Sequence, residues 1–143
     1  MSKNENKSFK ERIDEEMTVN YTNSLEKNFD LAKQFIRITR EGKVDVRVKD
    51  KLTGTENICL YLIGKLYAKE AGFTATENVG NKELVQELGI RMGSLLPWLK
   101  SLRDSNMVKD VRTGKTVEHR MKINLVERVL KDINNKLGEQ EMS

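Results

Sequence analysis

The sequence predicts a mainly α fold with a small β-hairpin, an α+β class, and three observations carry that prediction. Apolar residues recur at helical spacing in several separate stretches. Two segments, 44–48 and 108–123, alternate apolar and polar residues with the period of a strand. Gly, Asn and Thr punctuate the boundaries where one period gives way to the other.

Taken in order, residues 1–22 are polar and low in aromatics and read as a flexible tail, with nascent helix around 11–17. Asn23 or Ser24 caps a helix predicted over 24–40, whose stripe is Leu25, Phe29, Ala32, Phe35 and Ile36, and Gly42 ends it. Val44, Val46 and Val48 alternate with Asp45, Arg47 and Lys49 as a half-buried strand that is free to join the later hairpin as a third strand. Thr53 and Thr55 flank Gly54 ahead of a helix over 56–71. There Ile58, Cys59, Tyr61, Leu62, Ile63, Leu66 and Tyr67 cover more than one face, so it is the expected central helix. Residues 73–80 read as a loop. Asn81 is expected to cap a short helix over 82–88, stopped by Gly89.

A third helix carries Leu95, Trp98, Leu99 and Leu102 inward. Proline lacks an amide proton and is tolerated in a first turn, so Pro97 places the start near Gly93 or Ser94. Asn106 is the expected stop. Residues 108–123 read as a hairpin turning at Thr113-Gly114-Lys115. Asn124 then caps a last helix over 125–137 with the stripe Val126, Val129, Leu130, Ile133 and Leu137, ended by Gly138 and a polar tail over 139–143. The expected layout is one domain over 23–138 with its core in 53–123.

Composition narrows the function. The 143 residues are 37% hydrophobic and 34% charged, enough to bury a core without covalent staples. One Cys excludes an internal disulfide, and one Cys with one His cannot supply a Cys/His zinc site, so no metal and no cofactor is expected. The longest apolar run, 58–63, is far too short to span a membrane, and no secretory signal is visible at the start, so a cytoplasmic protein is expected. The net charge of +4 is not spread evenly: residues 81–123 hold nine basic and five acidic groups, an excess of four, and the rest of the chain sums to zero. Such asymmetry can steer a polyanion to one region, although a solvated surface produces it too.

Two segments carry a resemblance. Lys82-Glu83-Leu84-Val85-Gln86-Glu87-Leu88-Gly89-Ile90 looks like a second helix with its glycine turn. Ser94-Leu95-Leu96-Pro97-Trp98-Leu99-Lys100-Ser101-Leu102-Arg103-Asp104-Ser105-Asn106-Met107-Val108 looks like a recognition helix running into a first wing strand. With the helix before and the hairpin after, roughly half of the chain resembles the winged helix-turn-helix family. Asn106 stands where that family usually has glycine, and Asn tolerates the left-handed backbone needed there. The resemblance implies a double-stranded DNA partner, with helix 94–105 in the major groove and hairpin 108–123 on the adjacent backbone.

On that reading Arg91, Ser94, Lys100, Ser101 and Arg103 are candidates for base edges or phosphate, and Lys82 for a phosphate at the preceding helix start. Arg112, Lys115 and Arg120 are candidates for the flanking backbone. Asp104 opposes the idea unless it pairs with Lys100 or Arg103. Transcriptional regulation follows as the expected role. Winged-helix domains also serve as protein-contact modules, and an RNA-binding module is a further alternative. No acid/base pair, nucleophile arrangement or Gly-rich phosphate loop points to an enzyme.

Other residues read as structural. His119 falls in the apolar register of its strand and is expected to pack rather than to act as a ligand or base. Cys59 reads as a small buried hydrophobe and Trp98 as core beneath helix 94–105. The apolar stripes of helices 24–40 and 125–137 need cover, either within the chain or across a two-fold axis in a homodimer.

Overall fold

The computed structural model describes residues 7–18 and 23–142. The chain is α+β, with helices around two small antiparallel sheets. Its centre is α4 (Gly54–Glu70). Thr53 accepts from the Glu56 amide while the Glu56 carboxylate accepts from the Thr53 amide, a reciprocal cap that fixes the start. From Asn57 to Lys65 every residue of α4 is buried, so neighbours cover the helix on all sides.

One neighbour is the hairpin of β1 (Ile36–Ile38) and β2 (Val44–Val46), in the register Ile36 with Val46 and Ile38 with Val44. Its approach needs Gly64, because a Cβ there would lie 2.4 Å from Val44 Cγ1. The strand at 44–48 is therefore present but joins Ile36–Ile38, not the later hairpin. The helix predicted over 24–40 is two short helices, α2 (Asn23–Lys27) and α3 (Phe29–Phe35). Asn28 breaks it: its buried side chain donates to the Ser24 carbonyl at 2.8 Å, a local bond that competes with the helix ladder. Ile36 leaves the helical stripe because pairing with Val46 satisfies its backbone in a strand.

On the other side of α4, β3 (Val79–Gly80) leads into α5 (Asn81–Leu88), a tight turn at Gly89, α6 (Met92–Asp104), and the hairpin of β4 (Val108–Thr113) and β5 (Thr116–Met121). The sheet order is β3-β5-β4, with Val79 opposite His119 and Val108 opposite Met121. Two residues suffice for β3, too few to show a period. Thr113 pairs with Thr116 across Gly114 and Lys115, and Gly114 takes the positive φ of +64° that so short a loop demands. At the end of α6, Asn106 adopts φ +61°, and the amides of Asn106 and Met107 return to the carbonyls of Arg103 and Leu102.

Several boundaries differ from expectation, α4 among them, which starts at Gly54 and not at Glu56. Met92, ahead of Gly93 and Ser94, starts α6, so Pro97 lies beyond its first turn. The carbonyl that Pro97 leaves without a donor belongs to Gly93, which is exposed and open to water. Asn81 is the first residue of α5 rather than its cap. After a short 3-10 turn (Ile123–Leu125), α7 (Val126–Met142) runs straight through Gly138 into the segment read as a tail.

Val126, Val129, Leu130, Ile133 and Leu137 are all buried, so the α7 stripe is covered within one chain. Ahead of the domain, α1 (Phe9–Glu16) forms a helix with no buried residue, where the sequence suggested nascent helix in a tail. Residues 1–6 and 19–22, the rest of that segment, lie outside the described residues.

Candidate functional site

Leu84 and Leu88 of α5 and Leu95, Leu99 and Leu102 of α6 are buried together, which locks the two helices through the Gly89 turn. Trp98 lies over Gly54, where a Cβ would come within 2.3 Å of the indole, so α6 sits close on the start of α4. Trp98 is thus a packing residue, as expected. This leaves Pro97, Lys100, Ser101 and Asp104 exposed and Ser94 half-buried.

The nine candidate residues fall into two groups. Lys82, Arg91, Arg112 and Lys115 are exposed, and among the described residues no carboxylate lies within ion-pair distance of any of them. They occupy the first turn of α5, the cap position of α6 and the tip of the β4–β5 hairpin. Ser101 is exposed on α6 beside Lys100. Lys100 remains accessible at 72% side-chain exposure but lies 3.3 Å from Asp104, the pairing that removes the carboxylate objection.

The other two arginines are held by the fold. Arg103 lies 3.2 Å from Asp110, and half-buried Arg120 lies 3.2 Å from Glu77. Burial would raise the Glu77 carboxyl, but hydrogen bonding and charge from Lys69, with the Arg120 charge, outweigh it and hold the carboxyl below its ordinary value. Arg120 therefore ties the hairpin to the segment before β3.

A polar chain joins these elements beneath the surface. Arg103 of α6 meets Asp110 of β4; Asp110 lies 2.7 Å from His119 Nδ1 on β5; and His119 Nε2 lies 2.7 Å from Asn81 Oδ1 at the start of α5. His119 is buried, as its register implied, and both its ring nitrogens are engaged. Asn81 spends its side chain on this histidine, which explains why it does not cap α5. No local signal announces these partners, since they lie nine and thirty-eight residues from His119.

A second network links α4 to α5. The Tyr61 hydroxyl donates to Glu83 Oε2 at 2.5 Å, and buried Lys65 lies 3.1 Å from the same oxygen and donates to the Gly42 carbonyl at 2.8 Å. Burial would raise the Glu83 carboxyl, but the Tyr61 hydrogen bond and the charges of Lys65 and Lys43 bring it below its ordinary value. Burial, with the Glu83 contact, pushes the Tyr61 hydroxyl far above its ordinary range. These residues fix the orientation of α5.

The sequence reading missed Leu96 as a surface residue. Leu96 and Met92 are 49% and 43% exposed, one turn apart on α6 and one turn from Lys100. The i, i+4 spacing was the available signal, hidden by the continuous apolar tract around Leu95.

Among the described residues, no group of three or more His, Cys, Asp or Glu side chains is placed to hold a metal ion. No helix among them is long and apolar enough to cross a membrane. Comparison of the chain with protein-family models, with curated proteins and with solved structures finds no match.

Proposed function

We propose that the chain is a winged-helix protein that docks on double-stranded DNA, with α6 in the major groove and the β4–β5 hairpin on the adjacent backbone. Transcriptional regulation is the role this reading favours. The carrying observation is the element order α4, β3, α5, α6, β4, β5 with sheet order β3-β5-β4, combined with four exposed cations on α5, at the cap of α6 and at the hairpin tip that no carboxylate among the described residues neutralises. A helix of this width fits the major groove. Lys82, Arg91, Arg112 and Lys115 are the groups most able to exchange counterions for phosphate, because no partner among the described residues must first be released. Lys100 and Ser101 face outward to base edges, and Met92 and Leu96 offer apolar contact of the kind a thymine methyl accepts.

The test is a gel shift with duplex DNA at two salt concentrations, using wild type and the Arg91→Ala/Lys100→Ala variant. Retention at low salt, weakened in the variant with a shallower salt slope, is the expected result; absence of any shift at low salt overturns the reading. Sedimentation of the complex reads whether one chain or a homodimer docks.

A second reading rests on the same Met92 and Leu96. Exposed apolar groups on an outward helix face also suit contact with a protein. On that reading Leu96→Asp abolishes capture of a partner, while Lys82→Ala and Lys115→Ala leave it intact.

A further inference from the structure

Two apolar surfaces that no described residue covers lie on either side of a short linker. The first is α1. Phe9, Ile13 and Met17 recur every fourth residue on one helical face, and they are 75%, 39% and 77% exposed. The second is a groove of about 800 Å³ between α2, α3, β1 and the end of α4, lined by Leu25, Phe29, Ala32, Ile36, Ile38 and Tyr67. Phe29 is the residue of the α2–α3 stripe that the fold leaves 51% exposed, with its ring 6.3 Å from that of Tyr67.

We propose that α1 docks its Phe9–Ile13–Met17 face into this groove of its own chain. Connectivity selects the occupant. The groove opens at Asn23, the first residue of α2. The six peptide units between Met17 and Asn23 reach at most roughly 20 Å, and α1 itself spans about 12 Å. A tether this short sets an effective concentration in the millimolar range, which weak apolar contacts can use. Charge is neutral to the choice: residues 9–16 carry Glu11, Asp14, Glu15 and Glu16 against Lys10 and Arg12, and the groove sets Lys33 and Arg37 beside Glu26 and Glu70. The inference stands apart from the nucleic-acid reading, because the groove is built from the N-terminal hairpin and the opposite side of α4.

The experiment uses a fluorescent peptide of residues 7–18 with full-length wild type and the full-length Phe9→Asp/Ile13→Asp variant, whose altered side chains are exposed and leave the domain core untouched. The expected result is peptide binding to the variant, at least about tenfold weaker binding to wild type, where the tethered helix competes, and loss of binding when Phe29→Asp is added. Binding to neither chain, equal binding to both, or binding that survives Phe29→Asp overturns the proposal. Wild type that sediments as a dimer while the variant is a monomer also overturns it, assigning the groove to α1 of a second copy.

Discussion

His119 Nδ1 stands 2.7 Å from the Asp110 carboxylate across the β4–β5 pair, and that contact is the middle link between α6 and α5. Arg103 lies in ion-pair contact with the other oxygen of the carboxylate and Asn81 meets the far nitrogen of the ring, so four residues from four elements share one polar chain of two hydrogen bonds and an ion pair. Buried polar groups left without partners are costly. His119→Ala is therefore expected to destabilise the fold by about 2 kcal/mol, read as a lower denaturant midpoint. An unchanged midpoint would show that the chain contributes nothing.

The close approach at Gly64 gives a second expectation. Its absent Cβ leaves room for Val44, and Gly64→Ala forces contacts at 2.4 and 2.8 Å. Alanine recovers about 1 kcal/mol of helix propensity, yet overpacking a tight contact costs about 1–3 kcal/mol, so net destabilisation is expected. Val44→Ala added to Gly64→Ala should restore part of the loss. Simple additivity of the two changes in a double-mutant cycle would contradict the contact.

The ion pair of buried Lys65 with half-buried Glu83 should behave as one whose members depend on each other. Glu83→Gln leaves the Lys65 ammonium buried without its carboxylate, at a cost of about 3 kcal/mol. The double variant Glu83→Gln/Lys65→Met should lose less than Glu83→Gln alone. Thermal melts of the three proteins decide it.

Acid should weaken the fold through three carboxylates. The Glu56, Glu77 and Glu83 carboxyls all lie below their ordinary value of 4.5 in the folded chain. A lowered folded-state value means that the stabilisation is complete above that ordinary value and is lost as pH falls through the lowered ones. Stability measured from pH 7 downward should be flat to about pH 5 and then fall. In Glu77→Gln the fall should be shallower. A fall that begins near pH 6 would contradict this assignment.

The two classes of cation predict different salt behaviour. Arg112→Ala and Lys115→Ala should each reduce the slope of log affinity against log salt by about 0.9 if each group meets one phosphate of duplex DNA. Arg120→Ala, already engaged by Glu77, should leave the slope nearly unchanged and lower the melting temperature instead. Equal slopes across all three variants would remove the hairpin from the interface.

What the sequence determined by itself was local. The reciprocal cap at Thr53, the turn at Gly114 and the left-handed stop at Asn106 each depend on the chemistry of one or two neighbouring residues. They therefore set α4, the β4–β5 hairpin and the end of α6 without reference to the rest of the chain. The stripe of Leu95, Leu99 and Leu102 likewise settled which side of α6 is hidden, and so left Lys100 outside. Tertiary structure decided what depends on distant partners. Ile36 continues a helical stripe in sequence but becomes a strand because Val46 is across from it, and Val79–Gly80 is a strand only because β5 supplies its pairing. Arg103 and Arg120 look like free cations until Asp110 and Glu77 arrive from other segments. Backbone preference acts over a few residues, whereas pairing, burial and charge neutralisation act between groups that only the folded chain brings together.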